Sequence, residues 1–310
     1  MDLVFLGTPQ FAVPTLEALV TAGHNVKAVY TQPDRPSGRG QELAQSAVKK
    51  SALTHGLLVL QPERIRCPEE ITKLGEFNVP AMVVVGYGQI LPQSVIDLAP
   101  LGIINVHGSL LPQYRGAAPI QWAIANGELT TGVTTMRINA GMDTGDMLLK
   151  AEIEILPDDT SPTLAERLSK LGADLLIETL KGIEIGMIHA IPQEHAQATY
   201  APILKKEDGR IDFSRTAAEI ANRLRGFNPW PGAYTTYRGT PWKILAAHAA
   251  NDSTKGNPGE IYAIRKGIFV SCNNNTLLEV TELQQEGRKR ITAEAFVNGQ
   301  RPISGEVFGA

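Results

Sequence analysis

Cysteine is scarce in this 310-residue chain: Cys67 and Cys272 stand far apart, with no CxxC. Two isolated thiols offer no disulfide framework and fit a reducing compartment. The six histidines are scattered, without HExxH spacing and without a cysteine cluster beside them. No metal site is therefore expected. Long apolar runs are missing too, and nothing approaches the ~20 residues that span a bilayer. The opening MDLVFLGTPQ lacks a basic n-region and a cleavage site, so the expectation is a cytoplasmic protein with no membrane partner. Positive charge is not in excess either. The net charge of −3 by itself argues against a strongly nucleic-acid-binding protein.

What is present is the make-up of a globular protein, 43% hydrophobic and 20% charged. The length exceeds one ordinary core of roughly 100–200 residues, so two domains are expected. Charge is unevenly spread. From Lys205 onward there are 15 Lys and Arg against 11 Asp and Glu, which leaves 14 against 21 in the first 204 residues. An acidic front and a mildly basic back suggest domains with different partners.

The path of the chain agrees with that division. Leu3–Leu6, Val26–Tyr30, the doubly apolar Ala81–Val85 and Gly102–His107 read as strands, with Thr131–Ile138 and Leu148–Ile155 following. Helical patterns come between them, around Ser46–His55, Pro68–Phe77 and Pro92–Leu98. Such alternation predicts an α/β fold with a doubly wound, mostly parallel sheet. Ser161–Lys181 reads as one amphipathic helix closing this domain, which is placed at 1–188. Residues 189–206 read as a linker with little periodicity. Residues 207–310 carry short β-rich pieces, among them Trp242–Ala247, Gly259–Ile264 and Leu277–Leu283, separated by Gly, Asn and Pro. That spacing predicts a smaller, OB-like β-barrel.

The stretch INVHGSLLPQYRG (104–116) carries the chemistry. Residues two apart share a face of a strand, so Asn105 and His107 point the same way. They stand at the carboxyl end of a parallel strand, where open α/β sheets place ligands. An amide N–H can donate to a developing oxyanion, and an imidazole can donate, accept or carry charge near pH 7. The pair suits carbonyl activation. A carboxylate would orient the imidazole, and the NAGMDTGD stretch offers Asp143 and Asp146; spacing alone does not choose between them. Ser109 lies in HGSLLP rather than a G-x-S-x-G elbow, and the first βα turn, GTPQFA, lacks G-x-G-x-x-G. A serine nucleophile and a dinucleotide site are both disfavoured.

VHGSLLPQYRGAAPIQWA, followed later by GMDTGD, resembles the core of enzymes that use 10-formyltetrahydrofolate. The segments TQPDRPSGRG (31–40), YAPILKKEDGRIDF (200–213) and FNPWPGAY (227–234) are similar to the methionyl-tRNA formyltransferase family in particular. The resemblance implies a catalytic triad of Asn105, His107 and Asp143. It implies a folate site made by Ser109, Leu110, Leu111 and Pro112 together with Tyr87, Gly88, Ile90 and Leu91. Phe11 matches a phenylalanine near the esterified methionine. Arg35 and Arg39 fall in a loop that meets the acceptor arm of tRNA, with Lys205 and Lys206 completing a basic track; Arg288, Lys289 and Arg290 read first as an exposed hairpin turn. In place of the lysines some relatives carry there, this loop has Gln41 and Glu42.

On this resemblance the chain transfers the formyl group of 10-formyltetrahydrofolate to the amine of initiator methionyl-tRNA. It does so without metal and as a monomer, with 1–188 catalytic and 207–310 binding tRNA. Two other readings share the same core: a formyltransferase acting on a small amine such as an amino sugar, and a formyl-folate hydrolase.

Overall fold

Residues 1–37, 42–264, 267–303 and 305–309 are described by the structure, a computed structural model. Contacts divide the chain into two units. The first comprises Met1–Pro119, Thr130–Glu154 and Ala165–Ala201; the second comprises Ile120–Leu129, Ile155–Leu164 and Pro202–Ala310. The stretch expected to be a linker is thus split. Up to Ala201 it packs with the first unit, and its last residues go with the second.

The first unit begins with β1 (Asp2–Gly7), α1 (Val13–Thr21) and β2 (Asn25–Tyr30). The short antiparallel pair β3 (Arg35–Ser37) and β4 (Glu42–Ala44) follows. Then come α2 (Ala47–Thr54), β5 (Val59–Leu60), α3 (Pro68–Gly75), β6 (Ala81–Val85), α4 (Gln93–Ile96) and β7 (Ile103–His107). Short-range chemistry sets the helix starts. Ser46 caps α2 by accepting the Lys49 N–H at 3.0 Å, and Pro68 opens α3 where a missing N–H costs nothing. After α5 (Pro119–Ala125), most of it in the second unit, the chain returns through β8 (Thr130–Arg137), β9 (Met147–Glu154) and α6 (Ser161–Glu184).

The sheet order is β5-β2-β1-β6-β7-β8-β9. Pairings from β5 to β7 are parallel, and β8 runs antiparallel to both neighbours. Every residue of β6 and β7 is buried, as expected for central strands covered on both faces. On one face α6 lies against β7 and β8. A side chain at Gly172 would come within 2.8 Å of Val106 Cγ1, so only glycine lets the helix lie this close. Thr179 and Thr135 share a hydrogen bond of 2.8 Å on the same face. Asn105 and His107 alternate with Val106 and so point to the opposite face.

The second unit contains α7 (Ala217–Gly226), β10 (Ala233–Tyr237), β11 (Thr240–Ser253), β12 (Ile261–Ile264), β13 (Gly267–Ser271), β14 (Thr276–Gln285), β15 (Arg290–Thr292) and α8 (Ala293–Gln300). A capping box opens α7: Thr216 and Glu219 each accept the other's backbone N–H. The antiparallel sheet runs β10-β11-β14-β13-β12, with β15 on β14. The C-terminal segment joins its two ends. Ile261 N–H donates to Glu306 O at 2.8 Å and Phe308 N–H to Gly259 O at 2.9 Å, while Gly309 N–H reaches Thr236 O at 2.8 Å. Trp242, Phe296, Phe308, Ile268 and Val280 fill the interior.

Candidate active site

β7 ends in Asn105-Val106-His107, and β8 lies against it with Met136 opposite Asn105 and Thr134 opposite His107. Thr134 anchors the turn that follows. Its hydroxyl donates to Ser109 O at 2.7 Å and accepts the Leu111 N–H at 3.1 Å. Ser109 is fully buried and its hydroxyl donates to Gln113 O at 2.6 Å. The Leu111–Pro112 peptide is cis.

His107 and Asp143 face each other beyond this turn, and Asn105 shares the strand face of His107. His107 Nε2 faces the Tyr114 carbonyl at 3.0 Å, and a carbonyl only accepts, so that nitrogen carries a proton. His107 Nδ1 faces Asp143 Oδ1 at 3.7 Å, too long for a hydrogen bond. Both ring nitrogens therefore look at oxygen acceptors, which an imidazolium satisfies on both sides and a neutral ring on one. The other carboxylate oxygen, Asp143 Oδ2, accepts the Gly116 N–H at 2.8 Å. Asn105 is 8% exposed, and its carboxamide makes no hydrogen bond with the described residues and is not sealed from solvent. This leaves an unspent amide donor, an imidazole and one free carboxylate oxygen at the carboxyl end of one strand. Such a set can stabilise an oxyanion and move a proton. Among the described residues no group of three or more His, Cys, Asp or Glu could hold a metal ion.

Comparison with known proteins gives the set its context. A family model described as Formyl transferase matches residues 1–180, and one described as Formyl transferase, C-terminal domain, matches 203–301. The methionyl-tRNA formyltransferase of Koribacter versatilis is 58% identical over 310 residues, which is 100% of this chain and 99% of that one.

The chain belongs to the methionyl-tRNA formyltransferase family.

The enzyme of the same name from Acetivibrio thermocellus is 47% identical over 311 residues, covering all of both chains. The formyltransferase fold also appears among more distant structures. An N-formyltransferase from Helicobacter canadensis, solved with folinic acid and dTDP-3-aminofucose, has a TM-score of 0.66 at 20% identity. It covers 91% of this formyltransferase and 98% of its own chain.

The other residues singled out in the sequence fall in different settings. The Tyr87 side chain is 2% exposed and belongs to the same hydrophobic core cluster as Tyr30 and Met82. Burial without a partner pushes its hydroxyl pKa well up. The Tyr87 carbonyl accepts from Thr8 Oγ1 at 2.9 Å and Gln32 Nε2 at 3.1 Å, which ties the loops after β1, β2 and β6 together. Gly88 is exposed, Ile90 is 89% exposed and Leu91 packs partly on the core. In the Ser109–Pro112 turn, Leu111 packs on Met136 and Met147. Leu110 is half-buried over Gly132, and Pro112 is buried. Ser109 spends its hydroxyl inside the turn, so it offers a ligand no free side-chain donor.

Phe11 is half-buried in the turn after β1. Arg35, Lys205 and Lys206 are exposed, as are Arg288, Lys289 and Arg290. Arg39 lies outside the described residues. Sequence reasoning missed the Tyr114 carbonyl, the Gly116 N–H and Gln193. Two of these are backbone groups, which no residue type announces. The glycine in QYRG was the available signal. Gly116 has φ of 118°, and a Cβ there would lie 2.6 Å from Ala201 O.

Proposed function

We propose that this formyltransferase carries the formyl group from N10 of 10-formyltetrahydrofolate to the α-amine of initiator methionyl-tRNA, with Asn105, His107 and Asp143 as its catalytic groups. The chain formylates methionyl-tRNA, and a formyl-folate is its co-substrate. The observation that carries the assignment is the unspent Asn105 carboxamide beside His107 and the free oxygen of Asp143.

The amine must attack as its free base. An α-amine titrates near pH ~8 and an adjacent ester lowers that, so no strong base is required. As nitrogen bonds to the formyl carbon, the carbonyl pair moves onto oxygen. Asn105 donates to that oxygen, and His107 in its protonated form turns its Nδ1–H to it as the second donor. One such donor contributes about 10²–10³ in rate. Asp143 Oδ1 accepts the proton from the attacking nitrogen, because Oδ2 is already committed to Gly116. The tetrahedral intermediate collapses with cleavage of the C–N10 bond, and the proton passes to N10. The folate lies along Leu110–Pro112 and the Gly88–Leu91 segment, and Phe11 borders the methionine.

For the tRNA, Arg35 and Arg39 belong to the 31–40 segment that is assigned to the acceptor arm, with Lys205 and Lys206 supplying further phosphate contacts. The catalytic triad falls within 1–188 and tRNA binding within 207–310, in a cytoplasmic monomer. No helix among the described residues is long and apolar enough to cross a membrane. A single assay tests the assignment. Formyl-folate is supplied in turn with charged initiator tRNA, charged elongator tRNA, an amino sugar and water alone. Formylated initiator tRNA is expected, and formyl transfer to the sugar alone, or release of formate alone, would overturn it.

A further inference from the structure

The stretch between α6 and Ala201 looks in the sequence like a tether, yet it is stitched into the catalytic unit. Ile191 and Met147 exchange two backbone hydrogen bonds of 2.8 Å. Arg115 N–H donates to Thr199 O at 2.9 Å, Ala201 N–H to Arg115 O at 2.7 Å, and Tyr114 N–H to Thr199 Oγ1 at 2.8 Å. Between these two seams sits Gln193, 5% exposed.

Its side-chain amide is fully used. Nε2 donates to Asp143 O at 2.8 Å and to Gly145 O at 2.7 Å. Oε1 accepts from Arg115 Nε at 3.0 Å and Nη2 at 2.7 Å. Both N–H groups and both lone pairs are spent. The guanidinium, 2% exposed, also fixes which way the amide faces, because flipping it would set N–H against N–H and carbonyl against carbonyl. Arg115 Nη2 in turn reaches His195 Nδ1 at 3.2 Å.

The loop that Gln193 grips is the one that must hold the carboxylate. Asp143 has φ of 50°, a left-handed conformation that few residues other than glycine adopt without external support. Its side chain points to Gly116 N–H and toward His107, while its backbone carbonyl is held by Gln193.

We propose that Gln193, oriented by the buried Arg115, is a positioning residue for Asp143, and that the 191–201 segment is part of the catalytic apparatus rather than a tether. The proposal rests on the triad reading above. Gln193 touches no reacting atom; it acts by holding the Asp143 carboxylate within reach of the imidazole and the attacking amine. A displacement of about 1 Å in such a group costs on the order of 10²-fold in rate.

Two variants separate positioning from packing. Gln193→Met keeps the volume and loses all four hydrogen bonds. Gln193→Glu keeps an acceptor for Arg115 and removes both donors to the Asp143 loop. With the full chain, formyl-folate and charged initiator tRNA, kcat should fall by about 10–100-fold in both variants. KM for each substrate should stay within about threefold, and Gln193→Glu should remain folded by thermal denaturation. A kcat within threefold of wild type in the folded Gln193→Glu variant would overturn the proposal. So would losses confined to KM, or losses that track the thermal midpoint alone in both variants. Asp143→Asn serves as the control. If it too keeps wild-type turnover, the triad reading fails; if it is inactive while the Gln193 variants are normal, only the positioning role fails.

Discussion

Asp143 divides its carboxylate between two neighbours: Oδ2 accepts the Gly116 N–H at 2.8 Å, and Oδ1 faces His107 Nδ1 at 3.7 Å. One oxygen fixes the side chain and the other is left facing the imidazole. The backbone amide needed for this comes from a glycine nine residues beyond His107, so the segment after β7 supplies the orienting group for an imidazole carried by the strand's last residue.

Removing any member of the triad should abolish most turnover while leaving the fold intact. Asn105→Ala is expected to lose about 10²–10³ in kcat, the usual contribution of one oxyanion donor. His107→Ala and Asp143→Ala should lose at least as much, with losses that are not additive because the groups act as a unit. Formylation of charged initiator tRNA under saturating folate measures this. Near-normal kcat in all three variants contradicts the assignment.

Gly116→Ala should damage both stability and activity. At φ of 118° an alanine is strained, and its Cβ would meet Ala201 O at 2.6 Å. The strain alone is worth about 1–3 kcal/mol, and relieving it shifts the amide that holds Asp143 Oδ2. A lowered urea midpoint together with reduced kcat is expected. An unchanged midpoint would show that the chain passes this point without the tight approach.

The closure of the second unit should depend on acid. Glu306 accepts from Arg238 Nε and Nη2, from Tyr237 Oη and from the Ile303 N–H. The Arg238 guanidinium, first among these, lowers its carboxyl pKa from 4.5 to about 2. A depressed carboxylate pKa stabilises the fold above the unfolded value and loses that contribution as pH falls through the folded one. The gap in stability between wild type and Glu306→Gln should therefore be full at neutral pH and close between pH 4.5 and about 2. Denaturation of both proteins across that range checks it, and a constant gap would refute it.

Affinity for tRNA should fall with salt despite the net charge of −3. Each phosphate neutralised by Lys or Arg adds about 0.7–0.9 to the slope of log K against log salt. Lys205→Ala with Lys206→Ala should weaken binding and reduce that slope by about 1.4–1.8. A slope unchanged by the double substitution would remove both lysines from the contact surface.

The strands and helices of the first unit were largely readable because burial on both faces leaves continuous apolar runs such as AMVVV, and helix starts carry their own caps and prolines. The second unit was harder. β10 and β13 are five residues each, too short for periodicity to register. The C-terminal segment joins the sheet through backbone bonds that no side-chain pattern encodes.

Within the site, the sequence by itself determined that Asn105 and His107 share a face at a strand end, since alternation along a strand is a local property. It left two acids open, Asp143 and Asp146, and resemblance chose between them. Only the tertiary structure decided that Tyr87 goes into the core, that the Ser109 hydroxyl closes its own turn, and that Gln193 grips the Asp143 loop from fifty residues away. Those outcomes depend on which distant backbone carbonyl and amide come within 3 Å of each other, and residue order does not contain that distance until the sheet, its crossing helix and the returning segment are packed together.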